Sequence, residues 1–166
     1  LLGTIVGTVG EIFTWQIGTG TGARAYCGKV FSQSVQPAGS VGGLVRSEGA
    51  FKPDHAWDPC KHFGIKKTIT ADTSSGSIDD TTGTTGTTKY YVHLLQKTSS
   101  TGTINVILQD STDGTTFATV ANGAFTATGS QKSDIVGSLD RYVRVNADFV
   151  GTTAGTATWA AAYRRP

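Results

Sequence analysis

Apolar and polar residues alternate along two segments in the second half of the chain. In residues 103–110 and again in residues 141–149, apolar side chains stand at every second position. A period of two places apolar side chains on one face of a β-strand. The pair Asp113-Gly114 follows the first segment, and this pair tolerates the positive φ of a tight hairpin turn. The pattern therefore predicts antiparallel strands with one buried face.

Weaker alternation predicts further strands on both sides of these two. They lie at residues 11–17, 24–31, 41–46, 90–97, 116–120, 124–128, 131–136 and 156–163. Gly, Pro, Ser and Thr separate them, and no segment shows a helical period. Short strands at this spacing are typical of an antiparallel β-sandwich or jelly roll. We therefore predict an all-β fold with an extended N-terminal arm and long loops.

A change in composition near the middle of the chain suggests how it is divided. Residues 71–88 contain few apolar residues and many Thr, Ser and Gly, which predicts a loop or linker. Residues 1–70 are then an arm with an irregular β region. Residues 89–166 are a β-sandwich core, to which part of 11–70 could also belong. Residues 52–63 lack periodicity and are predicted to be a long loop with a functional or interface role.

The charge of the chain is close to balanced. Charged residues make up 16% of the sequence, and the formal net charge is +2. Such a small charge does not by itself attract nucleic acid or a membrane surface. No run of 18 apolar residues is present, so we expect no membrane partner. Arg164 and Arg165 form a basic tip that would meet nucleic acid or an acidic neighbour.

Cys27 and Cys60 allow one disulfide. A disulfide would join an early strand to the predicted loop at residues 52–63. The apolar start of the chain lacks the basic leading region of a secretion signal. We therefore expect two reduced, partly buried thiols.

One cluster has the residue types of a metal site. His55, Cys60 and His62 offer imidazole and thiolate ligands, with Cys27 as a distant fourth. Their spacing matches no familiar zinc motif, and the neighbouring lysines would oppose a cation. We expect no metal here, and predict instead a polar loop at a subunit contact.

Other candidate catalytic groups have simpler structural interpretations. His93 lies within a strand between Val92 and Leu94 and is predicted to be a half-buried, hydrogen-bonded histidine. Asp79-Asp80 is predicted to be a solvated acidic turn. Residues 18–22 are rich in Gly, but a strand follows them where a phosphate-binding loop needs a helix. No Ser occupies a G-x-S-x-G elbow. We predict no enzymatic activity, no cofactor and no small-molecule ligand.

Three tryptophans, Trp15, Trp57 and Trp159, are candidates for stacking on a sugar ring. Strand periodicity predicts Trp15 and Trp159 as core residues, and only Trp57 lies in a predicted loop. Carbohydrate binding is therefore kept as an alternative function.

The fragments INVILQDSTDGTTFATV and DRYVRVNADF resemble the discoidin and galactose-binding-like jelly-roll family. The resemblance covers the C-terminal half of the chain and implies a jelly roll. It also implies a carbohydrate-binding module as an alternative function, although the family's binding loops are not reproduced here.

The order of motifs over most of the chain is similar to that of small β-structured virion proteins of tailed bacteriophages. The motifs are Val9-Gly10-Glu11-Ile12-Phe13, Leu44-Val45-Arg46-Ser47, the strand at 89–95, the Asp-Gly hairpin, the Tyr-Val-Arg-Val strand and a Gly-Thr-rich end. The segment HAWDPCKH departs from this pattern. The resemblance implies a tail tube subunit that forms rings for DNA passage, or a capsid decoration or cement protein. Its location would be the virion, after assembly in the host cytoplasm.

Self-assembly also agrees with the apolar, Gly-interrupted arm, which has nothing of its own to cover it. The expected partners are copies of the same chain, other virion proteins and DNA that passes without sequence-specific contact. The predicted assembly contacts are Leu1, Leu2, Ile5, Val6, Ile12, Phe13, His55 and Trp57.

Overall fold

The computed structural model describes residues 11–38, 46–64, 67–98, 101–151 and 155–166. Every regular element in these ranges is a β-strand, and every strand pair is antiparallel. The predicted all-β, antiparallel sandwich is therefore confirmed. Within the same ranges, no helix has the length and hydrophobicity needed to cross a membrane.

Thirteen strands are present in the described residues. They are β1 (Glu11–Gln16), β2 (Arg24–Ala38), β3 (Arg46–Pro53), β4 (Asp58–His62), β5 (Lys67–Ile69), β6 (Thr73–Ser74), β7 (Ile78–Asp79), β8 (Thr84–Lys97), β9 (Thr103–Ser111), β10 (Ala118–Phe125), β11 (Gly129–Leu139), β12 (Tyr142–Val150) and β13 (Ala157–Arg164). The large sheet has the order β1-β2-β4-β13-β8-β11, with β3 on β2 and β5 on β13. The small sheet has the order β10-β9-β12-β6, with β7 on β12.

The core lies between the small sheet and one face of the large sheet. Ile104, Val106 and Leu108 of β9 are fully buried, as their alternation predicts. Val143 and Val145 of β12 are buried in the same way. The large sheet contributes the facing side chains Tyr90, Val92, Leu94, Trp159, Ala161 and Tyr163.

The large sheet curls so that its two ends approach each other. β1 lies close to β11, although these strands are at opposite ends of the strand order. The concave face carries small side chains, among them Ala25, Cys27 and Ala162, packed with Cys60 and Tyr91. Small side chains on the concave face let the sheet curve strongly without steric clashes between its strands. The face that meets the small sheet is therefore the convex one.

Among the described residues, the β2–β3 pair extends beyond the rest of the large sheet. From Arg24 to Val30, β2 pairs with β1 and β4. From Phe31 to Ala38, its recorded partner is β3. Of the strand predicted at 41–46, only Arg46 falls within the described residues, where it begins β3.

The prediction of a loop over residues 52–63 is wrong. β3 continues to Pro53, and β4 lies between β2 and β13 in the large sheet. Asp58, Cys60 and His62 alternate as buried residues along β4. Two of these three side chains are polar, so their alternation is invisible to hydropathy.

The boundaries of other strands also differ from prediction. β6, β7 and the start of β8 lie within residues 71–88, where a loop or linker was expected. Threonines of β8 pair with β11 from Thr84 onward, because β-branched residues favour strands even without apolar alternation. The two strands predicted at 116–120 and 124–128 are replaced by one strand, β10, which contains only residues 118–120 and 124–125 of them and whose register shifts between Thr119 and Ala121.

Candidate functional site

A buried carboxylate on the concave face of the large sheet organises its neighbours. Asp58 accepts hydrogen bonds from Lys89 Nζ at 3.0 and 2.9 Å, and from Arg164 and the Tyr91 hydroxyl. Burial raises the pKa of Asp58, but the hydrogen bonds from Tyr91, Lys89 and Arg164 outweigh it and hold the pKa below its ordinary value. Asp58 is therefore a charged group stabilised inside the fold.

A second buried carboxylate lies on the convex side. The side chain of Asp80 is 4% exposed and accepts hydrogen bonds from Lys61, Tyr163 and Arg165. Burial raises the pKa of Asp80, and these donors lower it further than burial raises it. The predicted solvated acidic turn is therefore wrong for Asp80.

Asp79, by contrast, is exposed, and its carboxylate accepts two hydrogen bonds from Arg141 at 2.7 and 2.6 Å. These bonds lower its pKa to about 2. Adjacent residues at the end of β7 point in opposite directions, which places one carboxylate outside and the other inside.

The C-terminal arginines are not a free basic tip. Arg164 binds Asp58, and Arg165 binds Asp80. Arg165 also donates to Thr84 Oγ1 at 3.0 Å and to the Leu139 carbonyl at 2.9 Å. The two residues therefore fasten the end of β13 to both faces of the large sheet.

An open cleft of about 620 Å³ lies beside Asp80. Among the described residues, its lining includes four cationic side chains, from Arg24, Lys61, Arg164 and Arg165. Asp80 is the carboxylate in this lining, and Thr82 and Thr84 supply hydroxyl groups. The cleft therefore carries more positive than negative charge.

His93 joins three strands across the concave face. Its Nε2 lies 2.8 Å from Thr14 Oγ1 on β1, and its Nδ1 lies 2.7 Å from Ser130 Oγ on β11. Burial lowers the pKa of His93 to about 4. The prediction of a hydrogen-bonded structural histidine is confirmed, although the ring is more deeply buried than expected.

Both cysteines are free thiols, as predicted, and both are buried. Cys27 lies opposite Asp58, and Cys60 lies opposite Ala25, so the two thiols are diagonal neighbours on β2 and β4. The neighbouring Cys27 and burial together raise the pKa of Cys60 far above its ordinary value. The Cys60 thiol is therefore not poised as a thiolate nucleophile.

The structure separates the candidate metal ligands. The His55 side chain is 87% exposed, whereas Cys60 and His62 are buried. His62 Nδ1 accepts a hydrogen bond from the Gly64 backbone N–H at 3.0 Å. The part of the chain that the structure describes contains no group of three or more His, Cys, Asp or Glu side chains that could hold a metal ion.

The predicted assembly residues fall into two groups. The first group lies outside the described residues: Leu1, Leu2, Ile5 and Val6. Ile12 and Phe13 are in β1, where Ile12 packs against the concave cluster. The Phe13 ring meets the edge of Trp57 at 5.6 Å between centroids, and His55 is exposed in the same β3–β4 connection.

The expectation that Trp15 is a core residue is wrong, whereas Trp159 is buried as predicted. Trp15 is 59% exposed, and its ring lies 6.3 Å from that of Tyr26. Trp15, Tyr26 and Pro59 are register partners across β1, β2 and β4. This row continues the convex face beyond the small sheet, so nothing in the described residues covers Trp15. Sequence periodicity gave the correct strand but could not tell how far the covering sheet extends.

Comparisons of the chain with protein-family models, with curated proteins and with solved structures found no match. The resemblances to virion proteins and to the discoidin family therefore stay predictions.

Proposed function

We propose that the protein is a structural subunit that assembles with copies of itself in a virion, most simply as the repeating unit of a tail tube. The supporting observation is the β2–β3 ribbon, which we define as residues 31–38 paired with residues 46–52. Among the described residues, which begin at Glu11, β2 pairs with β1 as far as Val30 and with β4 as far as Cys27. Among the described strands, the ribbon is therefore two-stranded.

A two-stranded ribbon of this kind needs a partner. Isolated two-stranded hairpins are at best marginally stable in water, because they bury little apolar surface. The eight residues from Phe31 to Ala38 span about 26 Å at the rise of an extended strand. Among the described strands, neither outer edge of the ribbon has a partner, and unpaired backbone groups at such an edge are templates for another strand. A copy placed beside the ribbon would satisfy these groups, and a head-to-tail repeat of that contact forms a ring when its rotation closes.

Two further surfaces support assembly. The row of Trp15, Tyr26 and Pro59 leaves a large aromatic side chain uncovered, and exposed apolar surface of this kind marks interaction sites. Val136 on β11 is 85% exposed. β11 is an edge strand over its 11 residues, because its pairing partner among the described strands is β8 alone.

The ribbon can be removed cleanly as a test. Phe31 and Lys52 are register partners, so a two-residue Asn-Gly turn can replace residues 32–51 and close a short hairpin. We expect the wild-type chain to form rings or tubes by size-exclusion light scattering and negative-stain microscopy. The shortened chain should be monomeric and should keep the wild-type circular dichroism spectrum.

Two results would contradict the proposal. A wild-type chain that stays monomeric up to high concentration and shows no regular particles would exclude a self-assembling role. Unchanged rings from the shortened chain would show that the ribbon is not the contact. Particles that form only on a separately prepared capsid would favour the capsid decoration role over the tail tube.

Carbohydrate binding is the second candidate, favoured by the exposed Trp15 ring beside Tyr26. Aromatic faces offer apolar surface to sugar rings, with the polar rim left for hydroxyl groups. A glycan array on the monomeric shortened chain tests this role. Retention that is lost in Trp15→Ala would support a sugar-binding module, and no retention would exclude it.

A further inference from the structure

Among the described residues, the cleft beside Asp80 has four cationic side chains, whose charges Asp80 and the nearby Asp58 do not fully neutralise. Asp80 is already bound by Lys61 and Arg165, and Arg164 is held by Asp58, which Lys89 also binds. Each buried carboxylate therefore faces two cations. Arg24 adds another positive charge to the same cleft.

Arg24 and Lys61 form an unfavourable pair unless an anion lies near them. They are direct register partners on β2 and β4, so their side chains leave the same face of the sheet. Like charges directly opposite each other destabilise an antiparallel pair. Lys61 has Asp80 as a counter-ion, whereas Arg24 has no ion-pair partner among the residues that the structure describes.

We infer that this cleft binds a phosphate group, held mainly by Arg24 and Lys61. A guanidinium and an ammonium on neighbouring strands supply the charge-assisted donors that phosphate oxygens accept. Thr84 Oγ1 accepts a hydrogen bond from Arg165, which leaves its own proton available to a ligand. The excess of positive charge favours a doubly charged oxyanion over a single carboxylate.

The cleft is large and open enough for a phosphate group to enter. A volume of about 620 Å³ exceeds a single phosphate and leaves room for an attached group. The bound phosphate group has two possible sources. One is free phosphate or a small phosphate ester, and the other is the backbone of a single-stranded nucleic acid. The binding experiment therefore needs one probe for each source.

The test measures two probes on the full chain at low salt. Isothermal titration calorimetry follows inorganic phosphate, and fluorescence anisotropy follows a labelled single-stranded oligodeoxynucleotide. Arg24→Gln should weaken the binding of whichever probe binds by about tenfold or more, because it removes a charge-assisted contact. Arg24 is exposed and has no internal ion pair among the described residues, so this variant should fold normally.

Lys29→Gln is the matched control. Lys29 is also exposed on β2 but lies on its opposite face, so the two variants lose the same charge on the same strand. If phosphate binds saturably and the oligonucleotide does not bind, the ligand is a small phosphate compound. If the oligonucleotide binds more tightly than phosphate, and phosphate displaces it, the ligand is nucleic acid. No saturable binding of either probe, or an equal loss in both variants, overturns the inference.

Discussion

Asp58 and Asp80 each bind two cationic side chains of the large sheet, Asp58 on its concave face and Asp80 on its convex face. Burying a carboxylate removes its water, and such a group persists only where donors replace that water. Here a lysine, an arginine and a tyrosine hydroxyl do so in each case. The last residues of β13 are therefore part of the folded body.

The first prediction concerns the Asp58 carboxylate. Asp58→Asn removes the charge that compensates Lys89 and Arg164, and it should lower the free energy of unfolding by about 2–3 kcal/mol. The loss should stay near this size because both cations keep partial access to water. Urea unfolding followed by tryptophan fluorescence at pH 7 measures it.

Asp79→Asn is the control for this prediction. It removes the same group from an exposed ion pair with Arg141, and such pairs contribute little. Its unfolding midpoint should stay close to that of the wild type. Equal losses in the two variants would show that Asp58 does not act through its buried contacts.

Single residues of this kind could not be predicted from sequence. Polarity alone places an aspartate outside, and the residues that compensate Asp58 are distant along the chain, Arg164 by 106 positions. The cleft has the same origin, because Arg24 lies on β2, Lys61 lies on β4 and Arg165 directly follows β13, and only the sheet order brings these segments together. His93 was predicted correctly as a hydrogen-bonded strand residue, but its partners Thr14 and Ser130 were not foreseen.

At the level of elements, prediction succeeded where one face of a strand is apolar. β9 and β12 alternate in hydropathy, and their burial alternates in the same way. β4 and the start of β8 were missed because their buried positions hold Asp58, His62 and Thr88. Hydropathy periods report burial only when the buried side chains are apolar.

The edge strand β11 gives the second prediction. Val136→Lys places a charge on an edge that the proposed assembly would cover, and charged side chains protect edges from pairing. We expect a clear loss of oligomers in size-exclusion light scattering, with thermal stability unchanged because Val136 is 85% exposed.

Thr87→Lys provides the comparison for this variant. Thr87 is the register partner of Val136 and is also exposed, but it lies on β8, one strand in from the β11 edge. Its assembly should match the wild type. If both lysine variants assemble normally, β11 is not a contact between subunits.

At the scale of the whole molecule, the curl of the large sheet is the feature that local sequence patterns do not show. His93 stands on β8 and reaches β1 on one side and β11 on the other. These contacts join the two ends of the sheet across its concave face. The histidine must be neutral to be buried there, which links the closed shape to pH.

The third prediction follows from this linkage. The pKa of His93 falls from 6.5 to about 4 on folding, so the unfolded chain binds a proton that the folded chain does not. Stability should therefore be complete above pH 6.5 and should fall as the pH drops toward 4, by up to roughly 3 kcal/mol. Urea unfolding at pH 7, 5.5 and 4.5 measures the slope.

His93→Gln isolates the contribution of this residue. Glutamine can still form hydrogen bonds but does not titrate, so the slope between pH 7 and pH 4.5 should largely disappear. Asp58 and Asp80, whose pKa values are lowered on folding, lose their contribution only at lower pH. An unchanged slope in the variant would show that His93 does not control this pH range.

The sequence by itself determined the all-β class, the main apolar strands and the Asp113-Gly114 hairpin, because each depends on neighbours a few positions apart. The turn shows this well: Gly114 has φ +75°, and Asp113 accepts hydrogen bonds from the backbone N–H groups of Thr115 and Thr116. Only the tertiary structure decided which polar groups are buried, where the small sheet ends and which cations share a cleft. Those features depend on strand order and curvature, which join residues from distant parts of the chain.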